Sequence, residues 1–131
     1  RRSKLIKRLV VNRSPVTPSL YVPDLDAALR FYTQILGFTK TDAYEEDGDT
    51  YWAEVARGEA RLWFFANALD DLPNPTFSGL IYVFVDDVDA LATQLDGQVP
   101  FEWGPETQPY GLRELGIKDL NGYYLVFAKD V

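Results

Sequence analysis

The 131-residue chain contains no cysteine and no histidine. Without cysteine there are no disulfides, no thiolate zinc sites and no thiol nucleophile. Without histidine the commonest metal ligand and the usual neutral-pH general base are missing. Ser-His-Asp triads and His-based zinc sites are therefore excluded. No stretch reaches the ~18 consecutive apolar residues that a membrane span requires. What is present reads as one folded domain: 47% of the residues are hydrophobic and 25% charged, too apolar for disorder over most of the length. Aromatic residues are plentiful, with three Trp, eight Tyr and eight Phe, more than a small core needs.

Charge is unevenly spread. Arg1, Arg2, Lys4, Lys7, Arg8 and Arg13 form a basic arm over residues 1–14. The remaining body carries seven basic and twenty acidic side chains, a net −13. Such a body disfavours nucleic acid and favours a cationic or neutral ligand. The arm is read as a solvated terminus, against a phosphate-binding or membrane-surface tail. No apolar h-region follows it, so it does not read as a signal peptide. A cytoplasmic protein without a membrane partner is expected.

The chain repeats itself. Val22-Pro23-Asp24-Leu25-Asp26-Ala27 returns as Val85-Asp86-Asp87-Val88-Asp89-Ala90, 63 residues later. An apolar run precedes each copy, Val16 to Val22 and Leu80 to Val85, and its β-branched and aromatic content predicts a strand. A helical pattern follows each: Leu25, Ala28, Leu29, Tyr32, Ile35 and Leu36 before Gly37, and Val88, Leu91 and Leu95 before Gly97. Asp24 and Asp87 are the expected N-caps. Further strands are predicted at Phe38–Tyr44, Tyr51–Ala56 and Ala60–Phe65, and at Val99–Trp103, Leu112–Lys118 and Tyr123–Ala128. Turn signals Gly58-Glu59 and Asp119-Leu120-Asn121-Gly122 join the last two of each set.

The fold expected is therefore α+β, two tandem βαβββ modules forming a curved, cleft-enclosing mixed sheet with the helices outside. The modules span residues 15–66 and 79–131, and the linker, residues 67–78, holds Pro73 and Pro75. Period-2 alternation puts Val16, Leu20 and Val22 under the first helix, and Ile81, Val83 and Val85 under the second. Thr17, Ser19 and Tyr21, like Leu80, Tyr82 and Phe84, then face the cleft. The same alternation brings Trp52, Glu54, Trp63, Phe65, Tyr82 and Tyr124 to that face, with Trp103 and Tyr110 as a wall. These rings suit a planar or cationic ligand, or else simply fill the sheet. Arg113 is expected on the cleft face, holding a ligand anion or pairing with Glu54 or Glu102. Glu45, Glu46, Asp47 and Asp49 read as a solvated acidic loop, and so does Asp70-Asp71.

The segment Tyr21-Val22-Pro23-Asp24-Leu25-Asp26-Ala27-Ala28-Leu29-Arg30-Phe31-Tyr32, the helix ending Ile35-Leu36-Gly37-Phe38, and Tyr110-Gly111-Leu112-Arg113-Glu114 with Asp119-Leu120-Asn121-Gly122 resemble the vicinal oxygen chelate superfamily. That superfamily holds glyoxalase I, extradiol dioxygenases, fosfomycin-resistance transferases and bleomycin-resistance proteins, and the last of these is the most similar branch. The resemblance covers residues 15 to 129. The superfamily's metal enzymes place His, Glu or Gln at four cleft positions. These align here with Thr17, Trp63, Leu80 and Val126, so the resemblance implies no metal and no cofactor. It also implies a homodimer that sequesters a flat, often cationic molecule in clefts shared between subunits. The other function class open to the sequence is a metal-independent enzyme with Glu54 or Glu102 as acid/base, aided by Tyr82 or Tyr124.

Overall fold

The computed structural model describes residues 15–66 and 74–131. The chain divides into two compact units, with the boundary between Pro75 and Thr76. The basic arm, Asp70-Asp71 and the first part of the expected linker lie outside the described residues.

In the first unit, β1 (Ser19–Tyr21) is followed by α1 (Leu25–Arg30), then by β2 (Thr39–Glu46), β3 (Asp49–Arg57) and β4 (Ala60–Phe65). The sheet order is β1-β4-β3-β2, with β1 parallel to β4 and the other pairs antiparallel. The Asp24 carboxylate caps α1 by accepting from the Ala27 amide at 3.0 Å. The helical run to Leu36 is not uniform. After Arg30 it widens into a π turn over Phe31–Ile35, closed by the Leu36 amide donating to the Phe31 carbonyl at 3.2 Å. Thr33 contributes to the change of winding, because its hydroxyl donates to the Leu29 carbonyl at 2.7 Å and competes with the helical ladder. The chain then leaves through Gly37 at φ +79°.

Leu20, Val22, Leu25, Ala28, Leu29, Tyr32, Leu36, Phe38, Ala53, Val55, Leu62 and Phe64 are the buried core of this unit. Tyr32 is its hub, with ring centroids 4.7 Å from Phe64 and 5.4 Å from Phe38. Val16 does not join them: it is 81% exposed, because β1 starts only at Ser19, after Pro18. The acidic stretch is mostly strand rather than loop. Glu45 and Glu46 end β2, Asp47-Gly48 make the turn at positive φ, and Asp49 opens β3.

The second unit repeats the plan. Its elements are β5 (Ile81–Phe84), α2 (Val88–Leu95), β6 (Phe101–Thr107), β7 (Leu112–Lys118) and β8 (Tyr124–Asp130), in sheet order β5-β8-β7-β6. The Asp87 carboxylate caps α2 through the Ala90 amide at 3.0 Å. Ile81 and Val83 point under the helix with Val88, Leu91, Leu95, Leu115, Ile117, Leu125 and Phe127, all buried. The strand expected at Val99 starts two residues later. The Val99 amide still donates to the Leu95 carbonyl, so this residue closes the helix end rather than opening β6. The architecture is thus α+β, two tandem βαβββ modules with one four-stranded mixed sheet each. Among the described residues, no helix is long and apolar enough to cross a membrane.

Candidate functional site

Each sheet has a helix on one face and aromatic side chains on the other. In the second module the register sets two rows across the helix-free face. One runs Tyr82, Val126, Gly116, Trp103; the next runs Phe84, Ala128, Glu114, Glu106. Glu114 is the centre of this face. Its side chain belongs to a residue only 1% exposed, and a buried carboxylate needs donors. It has three. The Trp103 indole Nε1–H donates to Oε1 at 3.2 Å, and the Tyr82 and Tyr110 hydroxyls both donate to Oε2, at 2.9 and 2.7 Å.

Local sequence explains how Trp103 reaches the acid. Edge strand β6 slips register twice against β7, once between Phe101 and Trp103 and again between Trp103 and Glu106. Such bulges re-aim side chains. The indole then lies over Gly116, where an added Cβ would run into the ring. Gly104, at φ +82°, lets β6 approach the Glu114 carbonyl, a position an added Cβ would occupy.

The tyrosines answer to the same carboxylate. Its hydrogen bond, with burial second, holds the Tyr110 phenol well above the usual value. Tyr82 is raised chiefly by burial; the Tyr110 hydroxyl works the other way, and Glu114 adds to the rise. Both rings remain accessible, Tyr110 at 63% and Tyr82 at 39%, and Phe84 lies near-parallel to Tyr82 at 6.3 Å. Tyr124 joins the same face, 6.3 Å from Trp103 and under the Lys118 ammonium at 5.3 Å.

In the first module Trp52, Glu54, Trp63 and Phe65 meet on the helix-free face. The Trp63 Nε1–H donates to Glu54 Oε2 at 2.8 Å, and the Thr41 hydroxyl donates to Oε1 at 2.8 Å. Trp52 meets Trp63 edge-on at 5.1 Å, and Tyr21 lies 5.7 Å from Phe65.

One expected site residue is on the wrong face. Arg113 turns to the helix side, where its guanidinium forms a two-pronged pair with Asp89 of α2 at 2.8 and 3.2 Å and donates to Thr107 at 3.3 Å. It pairs with neither Glu54 nor Glu102; Glu102 is exposed on β6. The reason is parity: Leu115 and Ile117 must be buried against α2, so Arg113 shares their face and Glu114 takes the other. Glu114 is the residue that reading the sequence missed, and the apolar alternation at Leu115 and Ile117 was the signal for it.

The side chains at the four positions that the resemblance aligns with metal ligands are poor donors. Leu80 and Val126 have no donor atom, Trp63 has its only polar atom committed as a donor to Glu54, and Thr17 alone is a weak neutral ligand. Among the described residues no group of three or more His, Cys, Asp or Glu converges elsewhere.

Comparison with known proteins agrees with the architecture. Residues 13–127 match the family model described as Glyoxalase/Bleomycin resistance protein/Dioxygenase superfamily. None of the curated proteins compared is similar in sequence. Among solved structures, TioX from Micromonospora sp. ML1 is similar at a TM-score of 0.74 and 19% identity, over 91% of this chain and 100% of its own. TnmS3, an antibiotic binding protein from Streptomyces sp. CB03234, gives 0.74 and 22% over 93% and 98%. A glyoxalase/bleomycin resistance protein from the same Streptomyces gives 0.69 and 26% over 88% and 100%.

Proposed function

The chain belongs to the glyoxalase/bleomycin resistance protein/dioxygenase superfamily, and from that premise we propose that it is a metal-free binding protein that sequesters a flat or cationic small molecule. The observation that carries this reading is the pair of aromatic helix-free faces, each with a carboxylate held by an indole N–H: Glu54 with Trp63, and Glu114 with Trp103. Such faces combine broad apolar contact with a few fixed polar groups, as small-molecule sites do. The net −13 body supports a cationic ligand through its long-range field. The non-ligating residues at Thr17, Trp63, Leu80 and Val126 support binding without a metal. The antibiotic-binding TnmS3 supports the class of ligand, an antibiotic-like organic molecule. A two-fold homodimer in the cytoplasm completes the proposal; the exposed Leu80, just ahead of β5, and Tyr82 and Phe84 on it support a partner surface.

The test is equilibrium dialysis of chelator-treated protein against planar cationic antibiotics, with each compound recovered and weighed by mass spectrometry. Retention of an unchanged compound by metal-depleted protein is expected. Retention only after a divalent ion is restored would contradict the metal-free reading. Chemical change of the compound would instead establish an enzyme.

A further inference from the structure

We propose that the helix-free face of the second module reads ligand charge, taking ammonium or other N–H donor groups and refusing anions, through the hydroxyl oxygens of Tyr82 and Tyr110 that Glu114 holds in place. This deepens the binding function proposed above and rests on it.

A phenol has one proton to donate and oxygen lone pairs that accept. Both phenol hydroxyls on this face donate to Glu114 Oε2, and the Tyr110 hydroxyl also lies against the Tyr82 oxygen, which keeps its other lone pair. What Tyr82 and Tyr110 retain for a ligand is acceptor capacity only. A neighbouring carboxylate polarises each O–H bond and enriches the oxygen, so those acceptors are strengthened. The Trp103 indole N–H, which could otherwise serve a ligand anion, is also committed to the same carboxylate. The three donors round Glu114 are thus committed to it, and the hydroxyl oxygens beside it are left as acceptors.

The surroundings agree in sign. Glu106 lies beside Glu114 in the same row. The near-parallel rings of Tyr82 and Phe84 offer π faces, which attract cations. Arg113 is paired with Asp89 on the opposite face, and its cross-strand neighbour Lys129 shares that side. Lys118 is the cation of this face among the described residues, and it stands over the Tyr124 ring, four residues from Glu114 along β7 and two rows away on the same side. An anion brought to Tyr82 and Tyr110 would meet lone pairs and a buried carboxylate. An ammonium would meet two acceptors and two ring faces.

The experiment uses three probes of one shape and different charge: 1-naphthylmethylammonium, 1-naphthylmethanol and 1-naphthylacetate. Their affinities for the whole protein are measured by calorimetry at low and at high salt. The ammonium is expected to bind about tenfold more tightly than the alcohol, the size of one favourable charged hydrogen bond, and the acetate most weakly. The order should survive high salt, since contacts at short range are screened far less than the field of the body. The double variant Y82F/Y110F keeps both rings and Glu114 and removes the two acceptor oxygens together with their O–H bonds to the carboxylate. It should bring the ammonium down to the alcohol's affinity. Glu114→Gln should narrow the gap as well, and the tyrosine variant decides the matter if that protein is unstable.

Equal affinity for ammonium and alcohol in the wild type would overturn the inference, while leaving the broader binding reading to the dialysis. An ammonium preference untouched in Y82F/Y110F, or one that vanishes with salt, would assign the selectivity to the body's field and overturn it too. Failure of all three probes to bind would likewise overturn it.

Discussion

The two modules share strand order, helix caps and a 63-residue offset, yet they build their polar centres from different positions. In the first, Glu54 sits in the row of Ser19, Trp63 and Asp42, and its indole partner comes from the adjacent strand β4. In the corresponding row of the second, glycine stands where Glu54 does and valine where Trp63 does. The acid has moved one pleat to Glu114, and its indole arrives from edge strand β6 over the space that Gly116 leaves. Their cores differ as well. The first is organised round the ring of Tyr32 and the second is largely aliphatic apart from Phe127 and Tyr123. The repeat therefore carries a scaffold rather than a duplicated site, and each face has been furnished separately.

The largest effect expected from breaking that contrast is in the core. Tyr32→Ala removes a fully buried ring with two close aromatic neighbours and should cost about 3–5 kcal/mol. Chemical denaturation followed by circular dichroism checks it, and a loss below about 1 kcal/mol would show that the first core does not depend on its aromatic hub.

The two acids come next. Glu114→Ala strands three donors and should cost about 3 kcal/mol, whereas Glu54→Ala frees two donors on a half-buried site and should cost about 1 kcal/mol. Equal losses in the same denaturation assay would erase the distinction drawn between the faces. A smaller change, Gly116→Ala, pushes a methyl group against the Trp103 indole. About 1–3 kcal/mol of overpacking and a shifted tryptophan emission spectrum are expected, and an unchanged spectrum would mean that the indole lies elsewhere.

Proton titration is the gentlest probe. The Tyr110 phenol lies above its unfolded value near 10 because it donates to Glu114. The bond therefore contributes fully below about pH 10 and is lost as pH climbs through the raised folded-state value. Phenolate absorbance should show a late-titrating tyrosine that disappears in Tyr110→Phe. At the acid end, Asp89 is lowered by its hydrogen bond with Arg113. Its contribution is present above the ordinary carboxylate value and fades as pH falls through the depressed one. Asp89→Asn should flatten that part of the stability profile.

Much of the fold was legible because it rests on periodic burial. The repeated helix start, the two N-caps and the alternation at Ile81 and Val83 all follow from one face being covered and one not. The π turn was not legible, since it depends on how Thr33 bonds to the backbone in a helix already formed. The face of Arg113 was legible and was misread by one residue, which by strand parity inverted the roles of Arg113 and Glu114. Trp103's path to Glu114 was hidden for a different reason. It depends on two register slips in β6, and alternation counted through a bulge gives the wrong side.

The central claim is that the aromatic helix-free faces bind a flat ligand without metal, and one titration tests it most directly. Chelator-treated protein and its Trp63→Ala variant are titrated with the planar cation proflavine while tryptophan emission is followed. Saturable quenching is predicted for the wild type. The variant should lose about 1–3 kcal/mol of affinity with a smaller loss of stability than the ~3–5 kcal/mol of a core tryptophan. Full affinity in a badly destabilised variant, or no quenching in the wild type, would contradict the account.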